Sequence, residues 1–480
     1  MAKTLQQDEK EVHVAEVVRH GEKIILPEQM KLGDAIDLLK RRQKYDEEEV
    51  VVRRTYNVFP WDGAHALMNA LTERYGWAAA EATPGFFGSN PPQMLDVQVG
   101  YGRTKKVPWG RFSLPQVEGF VQTSVAKKDG RISFELVAKV LRADERTIEL
   151  LFDTVEDKLR TESIYMGQAI KIRFRDNDGD LLEMPEPEFM NLQGISRDSL
   201  VYSDDVNQLI ETNLFTPIER VEDCIANHMP VKRGVLLGGP YGTGKTMAAT
   251  VAASIAVKTG VTYVYVPRSD ELSDAIQFAK QYSDKACVIF CEDIDRAVSG
   301  ERSVKMDDIL NILDGIDTKS SRIITVLTTN HLENINPAML RPGRLDAIID
   351  VTPPDAKAVE KLVRLYGRDT IDASEDLTLV GEALAGTIPA VIAEVVKRAK
   401  LHQLQYQEPG TVIEQISGKA LLDSALTIQA QRKLLEEQSK PKVKEPTFNE
   451  VIASAVAPAI EAAVSKVTGQ VAEMHERIVD

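Results

Sequence analysis

Cysteine is scarce in this sequence, and long apolar runs are missing from it. Three cysteines occur in 480 residues, Cys224, Cys287 and Cys291, and no two stand in a CxxC spacing. An odd number cannot pair off into a disulfide framework, and the spacing offers no zinc knuckle. Cys287 and Cys291 flank the apolar run "VIF", so they are expected to be buried small hydrophobes in a reducing compartment. No uncharged apolar stretch reaches the roughly 18 residues of a membrane-spanning helix. The opening "MAKTLQQDEKEVHVAEVV" has no apolar core of the kind a signal peptide carries. A cytoplasmic protein with no membrane partner is the expectation. Excess positive charge is lacking too: the formal net charge of -15 argues against bulk attraction to nucleic acid, although a local basic groove stays open.

What is present divides the chain in two. Residues 1–200 mix strand-like runs, "EVVVRRTYNVF", "DGRISFELVAKV" and "RTIELLF", with helical ones such as "DGAHALMNALTERYG", which predicts one or two α+β domains. All three tryptophans, Trp61, Trp77 and Trp109, lie there. Asp62 is placed as the N-cap of the helix after Trp61. The stretch "GYGRTKKVPWGRF" has the composition of a weak nucleic-acid or peptide-binding loop, or of an aromatic core with solvated lysines. The run "RFRDNDGDLLEMPEPEFM" reads as a linker or a turn-rich edge.

From about residue 201 the pattern alternates short apolar runs, "GVLLGG", "VTYVYV", "ACVIFC", "IITVLTT" and "AIIDV", with helices. That alternation predicts an α/β unit over 201–354, with a parallel five-stranded sheet and helices on both faces. A small helical lid is expected over 355–436 and a charged, proline-bearing linker over 437–446. Residues 447–480 follow as one amphipathic helix, opened by a capping box of Thr447 and Glu450.

Two stretches carry chemistry. "GGPYGTGKT", from Gly238 to Thr246, matches GxxxxGK[ST] between an apolar strand and a helix. Gly239, Gly242 and Gly244 let the backbone curl so that its N–H groups face a phosphate, and the helix N-terminus adds positive potential. The expected nucleotide cradle is Gly239, Pro240, Tyr241, Gly242, Thr243, Gly244, Lys245, Thr246 and Met247. Lys245 should bridge the β- and γ-phosphates of ATP, and Thr246 should ligate Mg²⁺. The second stretch, "VIFCEDID", crowds three carboxylates into four positions after a buried strand. Acids there are costly unless a metal or partner offsets them. Of Glu292 and Asp293, one should hold the metal and one should orient an attacking water; Asp295 also fits a solvated helix start.

Over residues 204–405 the chain resembles the AAA family within the AAA+ ATPases. The resemblance rests on "KRGVLLGGPYGTGKT", the acidic strand end, "ILNILDGID" and "VLTTNHLENINPAMLRPGRLD". It implies an α/β P-loop AAA+ module with a helical lid, preceded here by the α+β region. It further implies that Asn330 is the polar sensor beside the attacking water, and that Arg341 and Arg344 are arginine fingers reaching into a neighbouring subunit. A homo-oligomeric ring, a hexamer by resemblance, would then be needed for a complete site. The usual acid order in the family is Asp-Glu, whereas here it is Glu292-Asp293, as in the branch containing the mitochondrial translocase of folded iron–sulfur proteins. Position by position, Glu292 takes the metal-side role alongside Thr246, and Asp293 the water-side role.

Two further stretches depart from the family. After the second strand, "VTYVYVPRSDELSDAIQF" has no aromatic-X-glycine pore loop of the kind that threading unfoldases carry, and the basic stretch "RAVSGERSVK" stands where a second pore loop would. The leading expectation is an ATP-driven ring motor that remodels a protein or protein assembly, chosen through residues 1–200. An ATPase acting on DNA and a nucleotide-gated assembly scaffold are the alternatives.

Overall fold

In a computed structural model of the protein, the described residues are 18–20, 23–25, 30–85, 88–128, 130–282, 286–294, 322–334, 345–439, 464, 468 and 469. Asp295, the "RAVSGERSVK" stretch, Arg341 and Arg344 lie outside them, as does the expected C-terminal helix except for residues 464, 468 and 469.

The first region is built on a four-stranded antiparallel sheet. Its strands are β1 (Glu49–Tyr56), β4 (Arg111–Phe112), β5 (Gly119–Lys128) and β6 (Arg131–Leu141), in the order β1-β6-β5-β4. A separate hairpin pairs β2 (Gln93–Gly100) with β3 (Arg103–Trp109), so "GYGRTKKVPWGRF" is mostly strand, with Val107 buried in the core. Helices α1 (Pro60–Tyr75) and α2 (Glu145–Glu162) pack against each other and against β6. The run "RTIELLF" thus belongs to a helix and not to a strand. Its periodicity becomes clear over the whole segment, where Ile148, Leu151, Phe152, Val155 and Leu159 are the buried positions and recur at helical spacing.

Asp62 is not an N-cap. Pro60 opens α1 after Phe59, which puts Asp62 inside the first turn. There it is buried and accepts hydrogen bonds from Ser163 Oγ (2.7 Å) and the Ile164 N–H (3.1 Å), tying the start of α1 to the end of α2. Burial pushes its carboxyl up to about 6, against the pull of Ser163 and Ile164.

Each of the five expected apolar runs forms a strand: β9 (Arg233–Gly238), β10 (Thr262–Val266), β11 (Cys287–Cys291), β12 (Ile323–Thr328) and β13 (Ala347–Asp350). The sheet is nevertheless seven-stranded. The short β7 (Ala169–Lys171) adds in parallel to β10, and β8 (Glu188–Phe189) adds antiparallel to β7, giving the order β8-β7-β10-β11-β12-β9-β13. The expected linker at 173–190 and the expected boundary at 200 therefore fall within a chain segment that belongs to this sheet. Helix α3 (Lys245–Lys258) follows β9, and α4 (Leu272–Ala279) joins β10 to β11. The lid consists of α5 (Ala356–Gly367), α6 (Thr378–Leu384), α7 (Pro389–Leu404) and α8 (Gly418–Ser439) around its own core.

One hydrophobic core runs from the antiparallel sheet to one face of the parallel one, joining Leu67, Phe134, Ile148 and Phe152 to Val264, Ile276, Phe278 and Ile289. Aromatic rings make the join. Phe278 of α4 lies 5.9 Å from Phe59, 6.1 Å from Tyr165 and 6.1 Å from Phe174, while Trp61 Nε1 donates to Tyr165 Oη at 2.5 Å. Polar contacts reinforce it. Arg131 pairs with Asp274 at 2.7 Å, and the fully buried Glu271 accepts from the N–H groups of Phe174 and Arg175, both at 3.2 Å. The charged stretch "PRSDEL" after β10 thus contains a short 3₁₀ turn leading into α4, with Ser269 and Glu271 buried.

Phe278→Ala should cost about 3–5 kcal/mol, the usual range for emptying a buried aromatic site. Because the core is continuous, both regions should lose stability together. Tryptophan emission, which reports residues 61, 77 and 109, and nucleotide binding should show one shared urea midpoint, displaced together in the variant. Two separate midpoints would contradict a shared core.

Candidate active site

The strand β9 delivers its chain end into a turn that calls for glycine at three positions. Gly239, Gly242 and Gly244 have φ of 132°, 77° and 101°, values that L side chains rarely adopt. At Gly239 the requirement is steric as well, since a Cβ there would sit 2.4 Å from the Val351 carbonyl oxygen. The Tyr202 hydroxyl donates to the Gly244 carbonyl at 2.8 Å, and Thr243 Oγ1 donates to the Pro240 carbonyl at 3.0 Å, holding the turn from two sides. Helix α3 starts at once with Lys245 and Thr246, so its positive N-terminal end opens into the turn. Tyr241 and Met247 are exposed. From the lid, Ile388 at the N-cap of α7 approaches Gly242, 3.2 Å from where a Cβ would stand.

Lys245 is 7% exposed, a depth at which an ammonium needs acceptors. Its Nζ donates to the carbonyls of Gly239 (2.7 Å) and Pro240 (2.8 Å) and to Asn330 Oδ1 (2.8 Å), using all three ammonium protons. The other end of the same amide, Asn330 Nδ2, donates to Asp293 Oδ1 at 2.8 Å. A cation on one side and a carboxylate on the other fix which way this amide points.

Glu292 faces the opposite flank. Its Oε1 accepts from Thr246 Oγ1 at 2.6 Å, and its Oε2 accepts from Tyr265 Oη at 2.8 Å. Consecutive residues past a strand end diverge. Here Glu292 turns to Thr246 and β10, while Asp293 turns to the end of β12. Asp293 achieves this with a left-handed backbone, φ 48°, and its N–H donates to Thr328 Oγ1 at 3.1 Å. That conformation costs about 1 kcal/mol for a residue other than glycine, and aspartate tolerates it better than most. Burial, and then the neighbouring Glu292 carboxylate, drive the Tyr265 phenol far above its ordinary range, so it stays a donor. Cys287 and Cys291 are fully buried, as expected, and burial pushes both thiols up.

Sequence reasoning named Lys245, Thr246, Glu292, Asp293 and Asn330, and these five meet at one end of the parallel sheet. It missed Tyr265, Tyr202 and Thr328. Tyr265 was open to discovery, because it is the next-to-last residue of the strand beside the acidic one, in register with Phe290.

A glycine turn, a buried lysine and a hydroxyl–carboxylate pair suit a phosphate chain and a hard divalent cation. The fold and site are those of a P-loop nucleotide-binding protein. Residues 235–353 match the model of the AAA family, the ATPase family associated with various cellular activities. The chain is similar to the ATP-dependent zinc metalloprotease FtsH of Lancefieldella parvula, 30% identical over 193 residues, or 36% of this chain and 29% of that one. It is similar to the FtsH of Rhodococcus erythropolis, 30% identical over 263 residues, covering 50% and 29%, and to that of Mycobacterium tuberculosis, 28% identical over 284 residues, covering 54% and 35%. The chain thus spans about three-tenths of the length of the first two. Residues 235–353 are thus an AAA-type ATPase module, of the kind that takes ATP with Mg²⁺.

Replacing Lys245 with Ala removes the cation around which the turn is built. ATP affinity should fall by at least about 3 kcal/mol, roughly a hundredfold in Kd. Titration with a fluorescent ATP analogue measures it, and a Kd within threefold of the parent would contradict this role.

Proposed function

We propose that the protein is an ATP-hydrolysing AAA ring motor that remodels or disassembles a protein or protein complex, with residues 1–200 selecting the substrate or adaptor. The carrying observation is the division of labour between the two acids. Glu292 lies on the Thr246 hydroxyl and Asp293 on the amide that also holds Lys245. In this reading Thr246 and Glu292 would hold Mg²⁺, which would supply positive charge against the phosphates. Asp293 and Asn330 orient the attacking water, and Asp293 accepts its proton. Arg341 and Arg344, supplied by a neighbouring subunit, would stabilise the charge that develops on the phosphoryl oxygens.

Delivery of work through the first region, and not by gripping a chain in a pore, is favoured by the pinning of residues 268–274. Arg268 donates to the Asp176 carbonyl at 3.1 Å, and Glu271 and Asp274 are bound as described above. A segment so held is poorly placed to follow a moving polypeptide. The relatives' name also includes a zinc peptidase, and that part is not carried over. The seven histidines here include no pair four apart, so the HExxH zinc motif does not occur in these 480 residues. No helix among the described residues is long and apolar enough to cross a membrane.

Glu292→Gln and Asp293→Asn should each lower ATP turnover at least about a hundredfold, the scale of losing one charged catalytic group. Asp293→Asn should keep tight Mg·ATP binding, and normal hydrolysis by it would sink the assignment of the water-orienting acid. Arg341→Ala should bind ATP as the parent does yet not hydrolyse it; full activity in that variant would exclude a finger acting between subunits. An ATPase rate raised by an unfolded protein supports the remodelling reading, and one raised by single-stranded DNA alone overturns it.

A further inference from the structure

Tyr265 belongs to the ATPase site although nothing in the phosphate-loop pattern includes it. It is half-buried near the end of β10, with its ring stacked on Phe290 of β11 at 5.2 Å and 27°. Lys171 Nζ approaches the same ring at 5.7 Å. Its phenol hydroxyl donates to Glu292 Oε2 at 2.8 Å, while the Thr246 hydroxyl donates to Oε1. The two oxygens of one carboxylate are therefore claimed by two hydroxyls from different elements, a strand and a helix.

That arrangement answers a problem raised by the reversed acid order. A glutamate on the metal side has one more rotatable bond than an aspartate, so its carboxylate samples more positions and loses more freedom when it is fixed. A hydroxyl on a strand, with its ring held by stacking, supplies the missing restraint in the way that outer partners orient metal-ligating carboxylates.

We infer that Tyr265 is a positioning residue for Mg²⁺: its hydroxyl holds Glu292 Oε2 and so presents Oε1 towards the cation site at Thr246. The inference rests on reading Glu292 as the metal-side acid. Tyr265→Phe tests it, because the ring and its stacking remain and the hydroxyl alone is lost. The measurement is binding of a fluorescent ATP analogue, by itself in EDTA and then across a Mg²⁺ titration.

In EDTA the Tyr265→Phe protein should bind the analogue as the parent does, which also shows that the site is folded. The Mg²⁺ concentration giving half the metal-dependent gain in affinity should rise about tenfold, equivalent to about 1.4 kcal/mol. An unchanged Mg²⁺ requirement overturns the inference, as does an equal loss of affinity in EDTA. Glu292→Gln separates this from the reading beneath it. If Glu292→Gln loses the Mg²⁺-dependent gain and Tyr265→Phe does not, the positioning role is wrong and the metal-side acid stands. If Glu292→Gln keeps the parental Mg²⁺ requirement, the metal-side assignment itself falls, and the role of Tyr265 with it.

Discussion

Two carboxylates at the end of a wholly buried strand are the constraint around which this site is arranged. All five residues of β11 are buried and the strand is paired on both sides, so Glu292 and Asp293 emerge half-buried at its end, within reach of donors from the neighbouring elements. Each acid finds them on a different flank. Glu292 has two hydroxyls, and Asp293 has an amide whose oxygen accepts from Lys245. Removing any one partner would leave a half-buried charge short of a hydrogen bond, which costs more than the bond contributes when made. The glycine turn, the N-terminus of α3 and the ends of β10 and β12 are thus mutually dependent. The left-handed backbone at Asp293 is what lets neighbouring residues serve opposite flanks.

The same strand geometry ties the site to the first region. Tyr265 precedes Val266, the end of β10, and the chain then passes directly into the stretch where Arg268, Glu271 and Asp274 bind residues 131 and 174–176. β7 lies against the other edge of β10. A shift of β10 relative to β11 would therefore be felt at once by β7 and by the aromatic cluster around Phe278. Contiguity of this kind is a physical route by which a displacement at the site reaches the first region. What the route needs in stiffness is present, because close-packed cores transmit displacement and absorb little of it.

The α/β half was legible in the sequence because its signals are local. Each strand is a short apolar run, the glycine turn has a fixed spacing, and Thr246, Lys245 and the acids stand at positions set by where strands end. The first half was harder for stated reasons. "RTIELLF" in isolation suits either period, and only the continuation through Val155 and Leu159 decides for a helix. Asp62 looked like a cap because it precedes an apolar run; its partners Ser163 and Ile164 lie about a hundred residues away, beyond any pattern rule. The three-residue β7 and two-residue β8 carry no periodicity at all, so the extension of the parallel sheet across residue 200 could not have been read from them. Tyr265 lies between: its strand was visible, but its function depends on register with the neighbouring strand.

The order of the two acids, Glu292 before Asp293, is best understood from the two flanks, not from the pair alone. On the Thr246 flank, β10 offers a tyrosine hydroxyl that a longer side chain meets at 2.8 Å while still accepting from Thr246 at 2.6 Å. On the β12 flank, the left-handed turn carries the backbone of Asp293 towards Thr328 and Asn330, so a short side chain suffices to accept from the amide at 2.8 Å. Length on one side is matched by a distant donor, and shortness on the other by a backbone that has already moved. A swap to Asp-Glu at 292 and 293 would shorten the side chain facing two hydroxyls and lengthen the one facing a nearby amide. The order of the two acids, the tyrosine on β10 and the unusual backbone at 293 are therefore one structural solution, and each gives a reason for the other two.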